Sequence, residues 1–164
     1  MTIINATKKV WGRLGAPSRS VLVDDDTTLG SWCAHIFYFS HKQFLILTNE
    51  RTLFTVIFPA KSLNDIGVVF PQAVDEVLQI YAIPKQSRKI LFEQLSAVQF
   101  SRNTKRQVLG SMNDFIKNSK FILEDTPNLS LTDLSLRLCE MPCSPIQMRS
   151  PREATTEFLT RVAG

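Results

Sequence analysis

The sequence predicts an α+β domain: an antiparallel meander sheet packed against helices, with a C-terminal helical extension. Three observations carry this reading. Residues 32–59 hold three runs of β-branched and aromatic residues, parted by two short polar breaks, the pattern of consecutive strands. After Pro59 the apolar period lengthens from two to helical spacing. Hydrophobic residues make up 44% and charged residues 21% of the 164 residues, average globular usage in a chain long enough to bury roughly 70% of its unfolded surface.

Taken in order, residues 1–6 include Ile3 and Ile4 and suit a short first strand. Residues 7–14, TKKVWGRL, suit a helical turn with Thr7 as N-cap and Val10, Trp11 and Leu14 on one side. Residues 15–29 read as a solvated loop, in which Val21 to Val23 can pair briefly with a sheet edge. Its Asp24, Asp25 and Asp26 lack the alternate spacing and closing Glu of a calcium loop.

Within the meander, alternation places Trp32, Ala34, Ile36, Tyr38, Leu45, Leu47, Phe54, Val56 and Phe58 on one face, the expected core. The other face carries Cys33, His35, Phe37, Ile46, Thr48, Glu50, Leu53 and Thr55. Tight turns centred on His41-Lys42 and Glu50-Arg51 set Ile36 opposite Leu47, His35 opposite Thr48 and Thr55 opposite Ile46.

Residues 63–83 form a helix facing inward through Val69, Ala73, Val77 and Ile80, and Pro84 breaks it. Residues 85–95 form a second amphipathic helix with Ile90, Leu91 and Leu95 inward, and residues 97–101 a fifth strand. The most regular helix spans 104–123, with a stripe of Val108, Met112, Phe115, Ile116, Ile122 and Leu123. The helices of 63–123 are expected together on one sheet face. Residues 1–126 would thus form the body of a single domain and 127–164 its extension. That extension holds a helix from Ser130 or Thr132 to Glu140 and a last helix started by Ser150, Pro151 and Glu153.

Composition also bounds function. No window approaches the ~20 apolar residues of a membrane span, and the amino terminus lacks a secretory apolar core, so the expected location is cytoplasmic, with no membrane partner. Cys33, Cys139 and Cys143 are an odd number suited to reduced thiols, and the CxxxC pair has no second pair to close a zinc site, so no metal is expected. No GxGxxG or GxxxxGK[ST] loop is present, and no cofactor is implied.

Two sets of polar residues remain. Lys and Arg outnumber Asp and Glu by eight to two in residues 85–120, whereas residues 1–84 balance at seven each. This excess, through Lys85, Arg88, Lys89, Arg102, Lys105, Arg106, Lys117 and Lys120, suits a polyanion such as nucleic acid. Arg106, Asn113, Lys117 and Lys120 share one helix face by spacing. The reading is a binding module engaging nucleic acid or a protein partner. The alternative is a small hydrolase or nuclease of toxin type, with His35, Thr48, Asn49, Glu50 and Asn113 as its polar site. The residues leave open whether the protein is an enzyme.

The motifs TKKVWGRL, GSWCAHIFYF, LILTNERTLFTVIF, VQFSRNTKRQVLGSMNDF and DLSLRLCEMPCSPI together resemble a family of uncharacterised bacterial domains of unknown function. Ser31-Trp32, Thr48-Asn49 and Met112-Asn113 are its most specific pieces. Where that family has Trp-His-Ala, this chain has Trp32, Cys33 and Ala34, with its histidine at 35. The resemblance implies a fold, a bacterial source and carriage on plasmids and other mobile DNA more than an activity; a regulatory or defence role belongs to the binding-module reading, and partner neutralisation in a toxin–antitoxin pair is an analogy from the resemblance alone.

Overall fold

The structure is a computed structural model and describes residues 1–163. Five strands, β1 (Thr2–Ala6), β2 (Trp32–Phe39), β3 (Lys42–Asn49), β4 (Thr55–Pro59) and β5 (Val98–Ser101), form one sheet in the order β4-β3-β2-β1-β5. The meander β2-β3-β4 is antiparallel, as expected. The sheet as a whole is mixed, because β1 runs parallel to both β2 and β5. That corrects the expectation of an antiparallel sheet: parallel neighbours need long crossovers, and pairing between distant segments leaves no local trace.

Both hairpin registers are shifted by two residues from those expected. The first turn is Ser40-His41, both left-handed (φ 50° and 64°), so Ile36 faces Leu45 and His35 faces Ile46. This two-residue turn with two positive φ values forms without the usual Asn-Gly. The second connection is longer, pairing Thr48 with Thr55 and Ile46 with Ile57. A slip of two preserves which face each side chain occupies, so the expected division of the meander holds.

Among the described residues six α-helices complete the fold: α1 (Lys8–Leu14), α2 (Ile66–Ile80), α3 (Lys85–Leu95), α4 (Arg106–Asp125), α5 (Leu131–Leu138) and α6 (Pro151–Ala163). The first three cover the Trp32 face, where Trp32 meets Phe70 edge-on at 4.9 Å and Phe54 at 5.9 Å. Helix α2 turns Phe70, Val74, Val77 and Leu78 inward and leaves Ile80 exposed, a stripe one residue away from that expected. It approaches α3 so closely at Gly67 that a Cβ there would lie 2.9 Å from the carbonyl oxygen of Ser96. In α3, Leu91 and Leu95 are buried but Ile90 is exposed.

Helix α4 lies on the opposite face, with Val108, Met112, Phe115 and Ile116 over Cys33, Phe37, Ile46 and Ile57. The helices of 63–123 therefore do not share one face, and the second face of the meander is a core of its own. The reason is the crossover after β5, which carries the chain around the sheet edge.

The tail plugs the other edge. The outward N–H of Thr55 meets Cys139 Sγ at 3.5 Å, and that of Ile57 donates to Ser135 Oγ at 3.1 Å. The next outward position on β4 is Pro59, which has no N–H. Every outward amide of this edge strand is thus removed or satisfied, closing it to further strand pairing. Two predicted caps form: Ser130 Oγ accepts from the Asp133 N–H at 3.1 Å, and Ser150 and Glu153 make a reciprocal capping box.

Candidate functional site

Across the face beneath α4, one row of the sheet is polar on every strand: Thr55, Thr48, Cys33, Asn5 and Ser101, all buried. Thr48 and Thr55 join their hydroxyls at 2.9 Å, and Ser101 Oγ accepts from the Val21 N–H at 3.1 Å. Asn5 points its amide off the row, donating from Nδ2 to Glu50 Oε1 at 2.7 Å. Glu50 follows the end of β3, and its side chain is only 7% exposed. Its other oxygen meets Lys105 Nζ at 2.7 Å, the lysine arriving from the segment just before α4.

Glu50 and Lys105 line a cleft of 480 Å³ whose other walls include Asp24, Asp25, Ser31 and Arg51, with Asn5 behind the carboxylate. Two of these residues maintain the cleft's shape. Asp25 accepts from the Ile3 N–H at 2.7 Å and from both the backbone and the hydroxyl of Thr27. Glu50 ties its own N–H to the Ser31 carbonyl at 3.0 Å. The cleft thus presents a fixed carboxylate with an ammonium and an amide already on it.

The five residues proposed for an enzyme do not converge. Thr48 is occupied in the core. Asn49 organises the β3–β4 connection: its Oδ1 accepts from the N–H groups of Arg51 and Thr52, and its Nδ2 donates to the Leu29 carbonyl. His35 lies four strand positions from Glu50, about 13 Å along the sheet. Its Nδ1 shares a hydrogen with Thr7 Oγ1 at 2.8 Å, so Thr7 serves the histidine rather than capping α1. Burial, and secondarily Lys9, pushes its pKa below the ordinary 6.5. Asn113 is exposed on the outer side of α4. Nor is Cys33 a nucleophile at neutral pH: burial, assisted by Glu50, pushes its thiol up to about 12.

The eight basic residues divide between the layers. Lys85, Arg88 and Lys89 lie on α3, on one side of the sheet; Arg106, Lys117 and Lys120 lie on α4, on the other. Arg88 is paired with Asp75 at 2.9 Å and Lys105 with Glu50. Arg102, Arg106, Lys117 and Lys120 are exposed and have no carboxylate within 4 Å among the described residues. At 100° per residue, Arg106, Asn113, Lys117 and Lys120 fall within about 40° of one line along α4.

Asn5 and Lys105 were not singled out as partners of Glu50 by sequence reasoning. The signal for Asn5 was there: an amide in the middle of the apolar strand TIINA, where a buried polar group requires a partner. Nothing local links it to positions 50 and 105.

These features define the class, a mixed five-stranded sheet between helical layers, with a polar cleft at one end and a basic stripe on α4. The chain belongs to a family described as a domain of unknown function, DUF6933, whose family model matches residues 3–154. No curated protein and no solved structure matches it. Among the described residues, no helix is long and apolar enough to cross a membrane.

Proposed function

We propose that the protein is a binding module that holds nucleic acid against the solvent face of α4. The observation that carries this reading is the exposed line of Arg106, Asn113, Lys117 and Lys120, whose cations lack carboxylate partners among the described residues, with Arg102 just before the helix. From Arg106 to Lys120 the helix rises about 21 Å, the length of about six phosphates along one strand. Four phosphate contacts give affinity without sequence reading and a salt dependence of log K with a slope of about −3 to −4.

Fluorescence anisotropy with labelled DNA and RNA across a salt series tests it. Binding should show that slope and be lost in the triple variant Arg106→Glu, Lys117→Glu, Lys120→Glu, while Lys85→Glu with Lys89→Glu leaves it unchanged. No binding at low salt, or equal loss in both variants, overturns the reading. A regulatory or defence role on mobile DNA would suit such a module.

A second reading, a small hydrolase or nuclease, has one observation in its favour, the buried Glu50 carboxylate positioned by Asn5 and Lys105 at a cleft. It requires turnover that Glu50→Gln abolishes without weakening nucleic-acid affinity.

A further inference from the structure

At the opposite end of β3 from Glu50, a second cleft of 540 Å³ opens where both helical layers meet the sheet end. Its apolar wall comes from Phe44 at the start of β3, Leu123 at the end of α4, and Leu129 and Leu131 leading into α5. Three cations stand around it: Arg13 from the end of α1, Lys42 from β3 and Lys61 after β4. No Asp or Glu lines it, and none lies within 4 Å of these cations among the described residues.

The guanidinium of Arg13 is held in place, Nε donating to the Ala60 carbonyl at 3.1 Å and one terminal nitrogen to Gln43 Oε1 at 2.9 Å. Its other N–H groups have no partner among the described residues. A fixed guanidinium with spare donors, two exposed ammonium groups and an apolar wall make a surface matched to one kind of molecule.

We infer that this cleft binds a small amphiphilic anion, a carboxylate or comparable acid group on an apolar chain or ring. The acid group meets Arg13, with Lys42 and Lys61 adding charge, and the apolar part lies along Phe44, Leu129 and Leu131. The volume falls in the range of small-molecule sites, about 300–1,000 Å³, where apolar lining supplies affinity and a few polar groups set orientation. Charge complementarity excludes a cationic ligand, and concavity with an apolar wall distinguishes the site from the α4 stripe proposed for nucleic acid. The two proposals share no residue.

Decanoate is the probe, compared with decanol and decyltrimethylammonium by isothermal titration and by amide chemical shifts. Decanoate should bind tightest and the cation weakest, with shifts at Phe44, Leu129 and Leu131. Arg13→Gln with Lys61→Gln should weaken decanoate about tenfold, equivalent to about 1.4 kcal/mol, and leave decanol within about twofold. Because Arg13 also braces Ala60, Lys42→Gln with Lys61→Gln serves as the variant free of that contact and should weaken decanoate in the same direction. The α4 triple variant should leave decanoate binding unchanged. Equal wild-type affinities for decanoate and decanol, shifts confined to other surfaces, or no binding of decanoate would overturn the inference.

Discussion

Replacing Lys105 with alanine isolates what an ammonium contributes to a carboxylate that the fold has already taken out of water. Glu50 is 7% exposed at its side chain and Lys105 is 65% exposed, so the pair lies between two regimes. Breaking a fully buried pair costs about 3–5 kcal/mol and an exposed one about 0–1. A value of about 2 kcal/mol follows for Lys105→Ala, since Glu50 then keeps only the Asn5 amide. Glu50→Gln removes the charge while retaining an acceptor for Asn5, at about 1 kcal/mol. In the double variant no buried charge is left unpaired, and its total cost stays near 1 kcal/mol. The sign is the decisive point: the double variant should be more stable than Lys105→Ala alone. Urea unfolding by linear extrapolation measures all four corners of the cycle, and Lys105→Ala should also lower Tm by about 4–8 °C. Costs that add within about 0.5 kcal/mol, or a double variant that is the least stable of the set, would refute the view of Glu50 as a carboxylate dependent on its lysine.

Other consequences are open to the same unfolding assay. Asn49→Ala should cost about 2–4 kcal/mol, because Oδ1 serves two backbone N–H groups and Nδ2 a buried carbonyl; a loss under about 1 kcal/mol would mean that water replaces it. Ser135→Ala should cost about 1–2 kcal/mol by orphaning the Ile57 N–H, whereas Ser135→Thr, which keeps the hydroxyl, should recover part of it. Cys33 and Cys139 are both pushed up by burial from 9.0 to about 12, so the fold retains protons that the unfolded chain releases. Stability should be undiminished by these thiols below pH 9 and fall as pH rises from there towards 12, less steeply in Cys33→Ala. His35 has the opposite sign: its lowered pKa contributes stability above pH 6.5 that is lost as pH falls below it, and His35→Gln should flatten that acid limb.

The sequence reveals what local periodicity encodes. The meander, the division of its two faces, helix α4 and the Ser150 capping box are readable because each depends on residues a few positions apart. The first hairpin register differs by two because the Ser40-His41 turn uses left-handed residues that no Gly or Asn announces, and the second because the β3–β4 connection is longer than a two-residue turn. The parallel placement of β1 and the crossing of α4 to the second face are pairings across the length of the chain, invisible to spacing. The same limit applies to the site. Glu50 was visible as a polar residue at a strand end, but its partners Asn5 and Lys105 come from elements 45 and 55 positions away. The basic excess was visible as a composition shift, whereas its division into two layers required the fold.

The sealed edge of β4 also sets a schedule for the chain as it is made. The amide of Ile57 waits for a hydroxyl 78 residues later, and that of Thr55 for a thiol 84 residues later. Until Cys139 has emerged, a growing chain presents the outward amides of Thr55 and Ile57 as an open hydrogen-bonding rim, even once α4 lies over the apolar face behind them. A chain stopped before α5 therefore keeps an open strand edge of the kind that pairs with other strands, and α5 is the element that closes it.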